Sequence, residues 1–251
     1  MRTGLFAMII AVAVAVATGC SQVTTARDVV RQPSAGSQSA LAADTFTFNL
    51  PCRVINIHPE LPGEAVLFLW LHGGVHDKKI HSYWTHPNHW DNCAADDSII
   101  GFLSRHNIKA VALLPMCHRA DRDGCIVWRD CWDDVKVMID DLVSRGLVDP
   151  KRVYLAGSSD GGRGTWDYAA EHPEVFAAAI SMSCSEPRMV SIPVYFFGTA
   201  SEVDCTRRVE ELRREGATIV RYEYCKEFRH GGDAARCDDA LLTEFFGHTA
   251  R

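Results

Sequence analysis

The sequence lacks a basic block, an internal repeat and a C-x-x-C cysteine pair. Its 26 Lys and Arg residues face 32 Asp and Glu residues, and the net charge of the 251-residue chain is -6. A nucleic-acid site binds phosphates through clustered Lys and Arg side chains. The chain has no such basic patch, so nucleic acid is not an expected partner. The missing repeat excludes a solenoid. The missing C-x-x-C pair argues against a zinc site.

The apolar run at residues 5–17 is too short to span a bilayer as a helix. It follows a positively charged start, as the core of a signal peptide does. The run ends in Ala17-Thr18-Gly19-Cys20, which resembles the lipobox of bacterial lipoproteins. The resemblance implies cleavage before Cys20, lipidation of its thiol and a membrane anchor outside the cytoplasm. An ordinary secretory signal cut near Gly19 is the alternative, and it also predicts export.

These features predict three segments: a lipoprotein signal peptide at 1–19, a disordered tether at 20–44 and one folded domain at 45–251. The tether is predicted because residues 21–43 are polar, non-periodic and rich in Ala, Ser, Gln and Thr. The remaining length suffices for a single domain with a substantial core.

Ten cysteines are many for such a domain, and export permits disulfide bonds. If Cys20 carries lipid, nine remain, so at most four bonds form and one thiol is left over. The sequence does not give their connectivity. Cys225 with Cys237, or either with Cys205, would brace the C-terminal loops.

Apolar runs alternate along the chain with segments of helical spacing. This alternation predicts an α/β fold with a mostly parallel central sheet and helices on both faces. Polar chemistry is then expected at the carboxyl ends of the strands. The predicted strands are 64–71, 108–114, 152–156, 176–182, 193–197 and 218–224, and the predicted helices are 97–106, 133–143, 162–171, 202–216 and 238–246.

The segment Gly157-Ser158-Ser159-Asp160-Gly161 contains G-x-S-x-G between a predicted strand and a predicted helix. In this context the motif is typical of a nucleophile elbow, a sharp turn that exposes a serine hydroxyl at the end of a sheet. Ser159 is in register with both glycines, whereas Ser158 is not. We therefore take Ser159 as the candidate nucleophile.

A serine hydroxyl needs a base that accepts its proton. His230 is the candidate, because it follows the last predicted strand and the order serine, acid, histidine places the base there. An oxyanion site needs backbone N–H donors. The N–H of Asp160, directly after the nucleophile, is one candidate, and the N–H of Gly74 or Val75 in the His72-Gly73-Gly74 turn is the other.

The acid of the triad is expected after the strand at 193–197. Glu202 is the first choice and Asp204 the second. Asp204 alternatively caps the following helix, and Glu202 alternatively lies in the first turn of that helix. Glu186, or no carboxylate at all, remains open.

Several motifs carry a family resemblance: the HGG turn, Trp128, DPKRVY at 149–154, GSSDGGRGTW at 157–166 and RHG at 229–231. The chain resembles the polyhydroxybutyrate-depolymerase and feruloyl-esterase-like group of α/β-hydrolases. The resemblance implies an extracellular serine esterase without a metal or an organic cofactor, in which Ser159 is nucleophile and His230 base. Two positions depart from the pattern, since Ser201 stands where the group carries Asp and Asp160 stands where Met or Ala is common.

A long segment rich in histidine and aromatic residues, 76–90, lies beside the expected site. Aromatic side chains with polar tips suit sugar rings or phenolic acyl groups, so Trp84 and Trp128 are candidate substrate-binding residues. The four histidines of this segment are the alternative, as metal ligands, but their spacing matches no familiar motif.

Together these features predict an exported serine hydrolase that cleaves carboxylic esters, on carbohydrate or phenolic-acid substrates, through a Ser-His-acid triad and an acyl-enzyme. Two other functions remain open. One is a serine peptidase of the prolyl-oligopeptidase type, and the other is a non-catalytic surface-binding lipoprotein on a decayed hydrolase fold.

Overall fold

The computed structural model describes residues 49–74, 99–117, 119, 125–230 and 236–251. The predicted signal peptide and the whole of the predicted tether, with Cys20, lie outside these residues. So do Val75, Trp84 and the rest of the segment at 76–90.

The strands in the described part of the chain form one seven-stranded sheet in the order β1-β3-β2-β4-β5-β6-β7. β1 pairs antiparallel with β3 at one edge, and all other pairs are parallel. The predicted mostly parallel α/β sheet is thereby confirmed. The strands are β1 Cys52–Ile57, β2 Ala65–Leu71, β3 Ala110–Pro115, β4 Val148–Ser158, β5 Ala178–Met182, β6 Val194–Thr199 and β7 Ile219–Cys225.

Helices pack on both faces of this sheet, because the central strands are apolar on both sides. Leu67 and Leu69 of β2 face one cluster, and Phe68 between them faces the other. The first cluster takes in α2, α3 and α4, and the second takes in α1 and α5. The helices are α1 Ile99–Arg105, α2 Trp132–Ser144, α3 Asp160–Glu171, α4 Thr206–Arg214 and α5 Asp239–Phe245, and a 3-10 turn, Trp128–Cys131, precedes α2.

Three elements differ most from the sequence prediction. β4, Val148–Ser158, extends beyond the predicted strand at 152–156 at both ends. β1 was not predicted, because it is a half-buried edge strand whose polar residues interrupt the apolar run. Helix α4 begins at Thr206 rather than at 202. The side chain of Asp204 accepts hydrogen bonds from the Thr206 N–H and hydroxyl at 2.9 and 2.7 Å and so fixes the later start.

No disulfide bond joins two cysteines within the described residues, so the expected disulfide framework is not seen there. The same residues contain no group of three metal-ligating side chains. None of the described helices has both the length and the apolar character that a bilayer crossing requires.

The start of α3 presses against the carboxyl end of β2, and this contact requires glycine at Gly161. A Cβ atom there would collide with the backbone carbonyl oxygens of Leu71 and His72. Neither carbonyl oxygen can move away from a Cβ atom unless the backbone at the end of β2 also moves. Glycine at 161 therefore sets how closely the helix approaches the sheet.

We predict that Gly161→Ala lowers the free energy of unfolding by about 3 kcal/mol, because the added methyl group overpacks a backbone contact. Gly198→Ala is the matched control, since its Cβ would meet the Tyr224 ring at 3.4 Å and the Tyr222 hydroxyl at 4.0 Å, both ordinary contact distances. Urea denaturation of both variants measures the difference. Equal losses in the two variants would contradict this explanation.

Candidate active site

Ser159 lies at the turn between β4 and α3 with a left-handed backbone, φ 62° and ψ −123°. This conformation costs a non-glycine residue about 1–3 kcal/mol and persists only where the surroundings fix it. Here the Ser159 N–H donates to the Met182 carbonyl oxygen at 2.9 Å, and the Arg163 N–H donates to the Ser159 carbonyl oxygen at 3.0 Å. Strand, strained serine and helix together form a nucleophile elbow.

The turn after β2 lies directly beside this elbow. A Cβ atom on Gly73 would lie 2.8 Å from the Cβ of Ser159. A Cβ atom on Gly74 would collide with the carboxylate of Asp160. The two glycines thus allow the Gly73-Gly74 backbone to pack directly against Ser159 and Asp160.

His72 supports this turn from beneath, a role that the sequence analysis did not assign. It is 7% exposed, and its Nε2 accepts a hydrogen bond from the Cys117 N–H at 3.0 Å. The ring proton therefore lies on Nδ1, which donates to the Gly73 carbonyl oxygen at 2.8 Å. A neutral histidine with both nitrogens engaged positions the glycine turn and is not available as a base.

Trp128 was a candidate for substrate binding, but the structure places it behind the turn. It is 1% exposed, its Nε1 donates to the His72 carbonyl oxygen at 2.9 Å, and its own carbonyl accepts from the Tyr168 hydroxyl at 2.7 Å. Such a buried ring offers almost no surface to a substrate. Its contacts instead hold His72, and with it the His72-Gly73-Gly74 turn, in place.

Asp160 occupies the first position of α3, where backbone N–H groups have no partner within the helix. Its N–H is thereby suited to an oxyanion, as predicted from sequence. Its carboxylate is held near Gly74 by the Ile126 N–H, which donates to Oδ2 at 2.9 Å. A negative charge therefore lies next to the predicted oxyanion donors.

The structure brings His230 and Glu202 together. Nδ1 of His230 lies 2.5 Å from Oε1 of Glu202. The other oxygen, Oε2, accepts from the N–H and the hydroxyl of Thr199 at 2.7 and 2.5 Å. The Glu202 side chain is 7% exposed and the His230 side chain 46%, so a nearly buried carboxylate holds a half-exposed imidazole.

These contacts decide the charge of Glu202. Burial raises the pKa of the carboxyl, but hydrogen bonds from Thr199 and His230 outweigh burial and leave the pKa below its usual value. Glu202 is therefore ionised at neutral pH. An ionised carboxylate on Nδ1 orients the imidazole and stabilises its protonated form, which is the task of the triad acid.

Ser201, which stands where the related group carries Asp, holds the backbone of the histidine. Its Oγ accepts a hydrogen bond from the His230 N–H at 3.1 Å. The Ala200 N–H also donates to the Phe228 carbonyl oxygen at 3.2 Å, which ties the two loops together. Ser201 thus binds the backbone of the loop that carries His230.

The other candidate acids have different partners. Asp204 accepts from the Tyr222 hydroxyl at 3.1 Å in addition to its contacts at the start of α4. Glu186 forms an ion pair with Arg163 at 3.4 Å. In both cases the partners give the carboxylate a structural role.

Ser159 and His230 are not joined by a hydrogen bond within the described residues. Contacts between nucleophile and base are often long in unliganded enzymes and tighten when substrate binds. The structure thus contains the acid–base pair and the elbow as two separate parts.

The sheet order, the helices on both faces and the elbow after β4 decide the fold. The chain has the α/β-hydrolase fold. It superimposes on a thermostable esterase with a TM-score of 0.61 and 20% identity, over 80% of this chain and 59% of that one. It also superimposes on the serine hydrolase FphF of Staphylococcus aureus with a TM-score of 0.51 and 11% identity, over 79% and 99% of the two chains. Identities this low establish the fold alone.

The sequence matches the prolyl oligopeptidase family model over residues 129–230, less than half of the chain. It is 42% identical over 60 residues to the lasso peptide isopeptidase AtxE2 of Asticcacaulis excentricus. That match spans 23% of this chain and only 8% of the isopeptidase. The family match and the fold together support a serine hydrolase.

We predict that Glu202→Gln lowers kcat of the hydrolase reaction by roughly 10³- to 10⁴-fold, because the amide cannot stabilise the protonated imidazole. Asp204→Asn is the matched control, and it is expected to retain kcat within about threefold because Asp204 contacts no catalytic group. Steady-state kinetics on both purified variants measure the effect. A larger loss in Asp204→Asn than in Glu202→Gln would show that the acid is misassigned.

Proposed function

We propose that the protein is a serine hydrolase that cleaves carboxylic esters through an acyl-enzyme on Ser159. The observation that carries the proposal is the contact between Glu202 and His230. Glu202 lies in the loop after β6 and His230 in the loop after β7, and the elbow with Ser159 follows β4 of the same sheet. A buried, ionised carboxylate aligned on a histidine ring has little use in a purely structural loop, but it is what a serine nucleophile requires.

In the proposed reaction Nε2 of His230 accepts the Ser159 proton while Oγ attacks the ester carbonyl carbon. The N–H groups of Asp160 and Gly74 stabilise the oxyanion of the tetrahedral intermediate. His230 then protonates the leaving alcohol, and a water molecule activated by the same nitrogen releases the acid product. Glu202 stays ionised throughout and stabilises the imidazolium in each step.

The charge of Asp160 favours an ester over an amide as substrate. Its carboxylate, fixed near Gly74, opposes the negative charge that develops on the oxyanion. Hydrolysis of an amide is intrinsically harder, because the amide is stabilised by resonance and its leaving nitrogen must be protonated. A weakened oxyanion site is therefore better matched to the more reactive acyl group.

Peptide cleavage is the second candidate function, because both sequence matches point to it. The prolyl oligopeptidase family model covers the elbow and His230, and the matched relative is an isopeptidase. The assignment of carbohydrate or phenolic-acid esters as substrates rests on the sequence of the segment at 76–90, including Trp84, and remains a proposal.

We predict that Ser159→Ala abolishes hydrolysis of short p-nitrophenyl esters and labelling by a fluorophosphonate probe, with a loss of at least about 10⁴-fold in kcat. Ser158→Ala is the matched control, and it is expected to retain both activities because Ser158 is out of register with the flanking glycines. Folding of both variants is checked by circular dichroism.

The same assay includes aminoacyl-proline p-nitroanilides. Cleavage of these amides without ester hydrolysis would replace the esterase by the peptidase. A folded wild-type protein that neither reacts with the probe nor cleaves either substrate would instead favour a decayed fold with a binding role.

We further propose that the chain is exported and anchored to the membrane by lipid on Cys20. In cells fed a radiolabelled fatty acid, the wild-type protein should carry label and partition into detergent, whereas Cys20→Ala should do neither. Cys52→Ala, which changes a buried cysteine of β1, is the control and should keep the label. An unlabelled, freely secreted wild-type protein would contradict the anchor.

A further inference from the structure

Two cysteines that are 14 residues apart in the sequence lie next to each other behind the His72-Gly73-Gly74 turn. Cys117 lies just after β3, and Cys131 ends the 3-10 turn before α2. Their Sγ atoms are 2.8 Å apart, and the residues are 2% and 0% exposed. Two sulfur atoms at this separation are closer than ordinary van der Waals contact allows, so the side chains already point at each other.

The pair differs from Cys52 and Cys205, two other buried cysteines of the domain. Cys52 and Cys205 direct their thiols to backbone carbonyl oxygens, at 3.5 Å from Arg53 and 3.4 Å from Ser185 respectively. The nearest partner of the Cys117 Sγ is instead the Cys131 Sγ, and the carbonyl oxygen of Arg119 is farther away at 3.6 Å. The geometry therefore distinguishes a facing pair from isolated core thiols.

We propose that Cys117 and Cys131 are joined by a disulfide bond in the exported protein. In the reaction the Cys117 thiolate attacks the disulfide bond of an oxidised thiol–disulfide oxidoreductase of the exporting compartment. That bond breaks, one of its sulfur atoms leaves as a thiolate, and the other forms a mixed disulfide with Cys117. The Cys131 sulfur then displaces the oxidant. Cys117 and Cys131 together lose two electrons and two protons, and the oxidant leaves as its reduced dithiol. The exchange takes place late in folding, when Cys117 and Cys131 already face each other and the oxidant can still reach Cys117.

The local electrostatics give the order of these steps. A hydrogen bond from Cys131 lowers the pKa of the Cys117 thiol and outweighs the effect of burial. The same hydrogen bond, together with burial, raises the pKa of Cys131. Since the thiolate is the attacking species, Cys117 starts the exchange and Cys131 completes it.

The bond would hold in place both groups that bind His72 in the His72-Gly73-Gly74 turn. The N–H of Cys117 donates to Nε2 of His72, and Cys131 closes the 3-10 turn whose first residue, Trp128, donates to the His72 carbonyl oxygen. A covalent link between the two cysteines thus braces His72 from both sides. The bond itself is independent of catalysis, whereas its effect on kcat rests on the proposed function.

The test is a peptide map of the full-length protein, exported by its host and alkylated without prior reduction. Trypsin cuts after Lys109, Arg119, Arg129 and Lys136, so the bond should link peptides 110–119 and 130–136 in one species that separates on reduction. Recovery of both peptides in alkylated, unlinked form from the exported protein would overturn the proposal. This result does not depend on any substrate.

A second readout is thermal stability with and without a phosphine reductant. A disulfide that closes a loop of this length should raise the melting temperature by roughly 5–10 °C, so reduction should lower it by that amount. The Cys117→Ala/Cys131→Ala variant should lose this part of the response to the reductant, whereas the control Cys52→Ala should respond as the wild type does. Linked peptides without any thermal response would contradict the bracing role.

Reduction should also lower kcat for the ester in the wild type and leave kcat of the double variant unchanged. Linked peptides in a protein without esterase activity would leave the disulfide in place and overturn the proposed function alone.

Discussion

The close packing of three chain segments around Ser159 is the constraint on which the site depends. The serine adopts a left-handed conformation because strand β4, the start of α3 and the turn after β2 leave no other course for the chain. Gly73 and Gly161 make these approaches possible, since a side chain at either position would meet backbone or the nucleophile itself. The oxyanion donors, the direction of Oγ and the start of the helix are therefore set by a single packing arrangement.

In the proposed triad, the carboxylate of Glu202 takes the role expected of an Asp at position 201. Glu202 comes one position later than the Asp of the resembling group, and its longer side chain turns back so that Thr199 holds one oxygen and His230 approaches the other. Ser201 retains a hold on the His230 backbone. The charge on Asp160 acts in the opposite sense, because it lies near the donors that an oxyanion would use. In the proposed reaction the site would thus combine a well-supported base, His230, with weakened oxyanion stabilisation.

Much of this arrangement was predictable, because it follows from local patterns. Buried parallel strands appear as continuous apolar runs, and the elbow is a short motif whose glycines have a local steric cause. What sequence could not show depends on contacts between distant residues. The edge strand β1 is held by pairing with β3, the buried position of Trp128 follows from its bonds to His72 and Tyr168, and the choice between Glu202 and Asp204 depends on which loop His230 meets. The sequence does not distinguish Glu202 from Asp204, because the choice depends on the position of the His230 loop in the folded protein.

The central claim is that Glu202 and His230 serve Ser159 as one catalytic unit. A crystal structure of the protein after reaction with a fluorophosphonate tests this claim most directly, because the adduct imitates the tetrahedral intermediate. We expect phosphorus on Oγ of Ser159, a phosphonyl oxygen within hydrogen-bond distance of the Asp160 and Gly74 N–H groups, and Nδ1 of His230 on Glu202. An adduct in which the imidazole of His230 points away from Ser159, or pairs with another carboxylate, would contradict it.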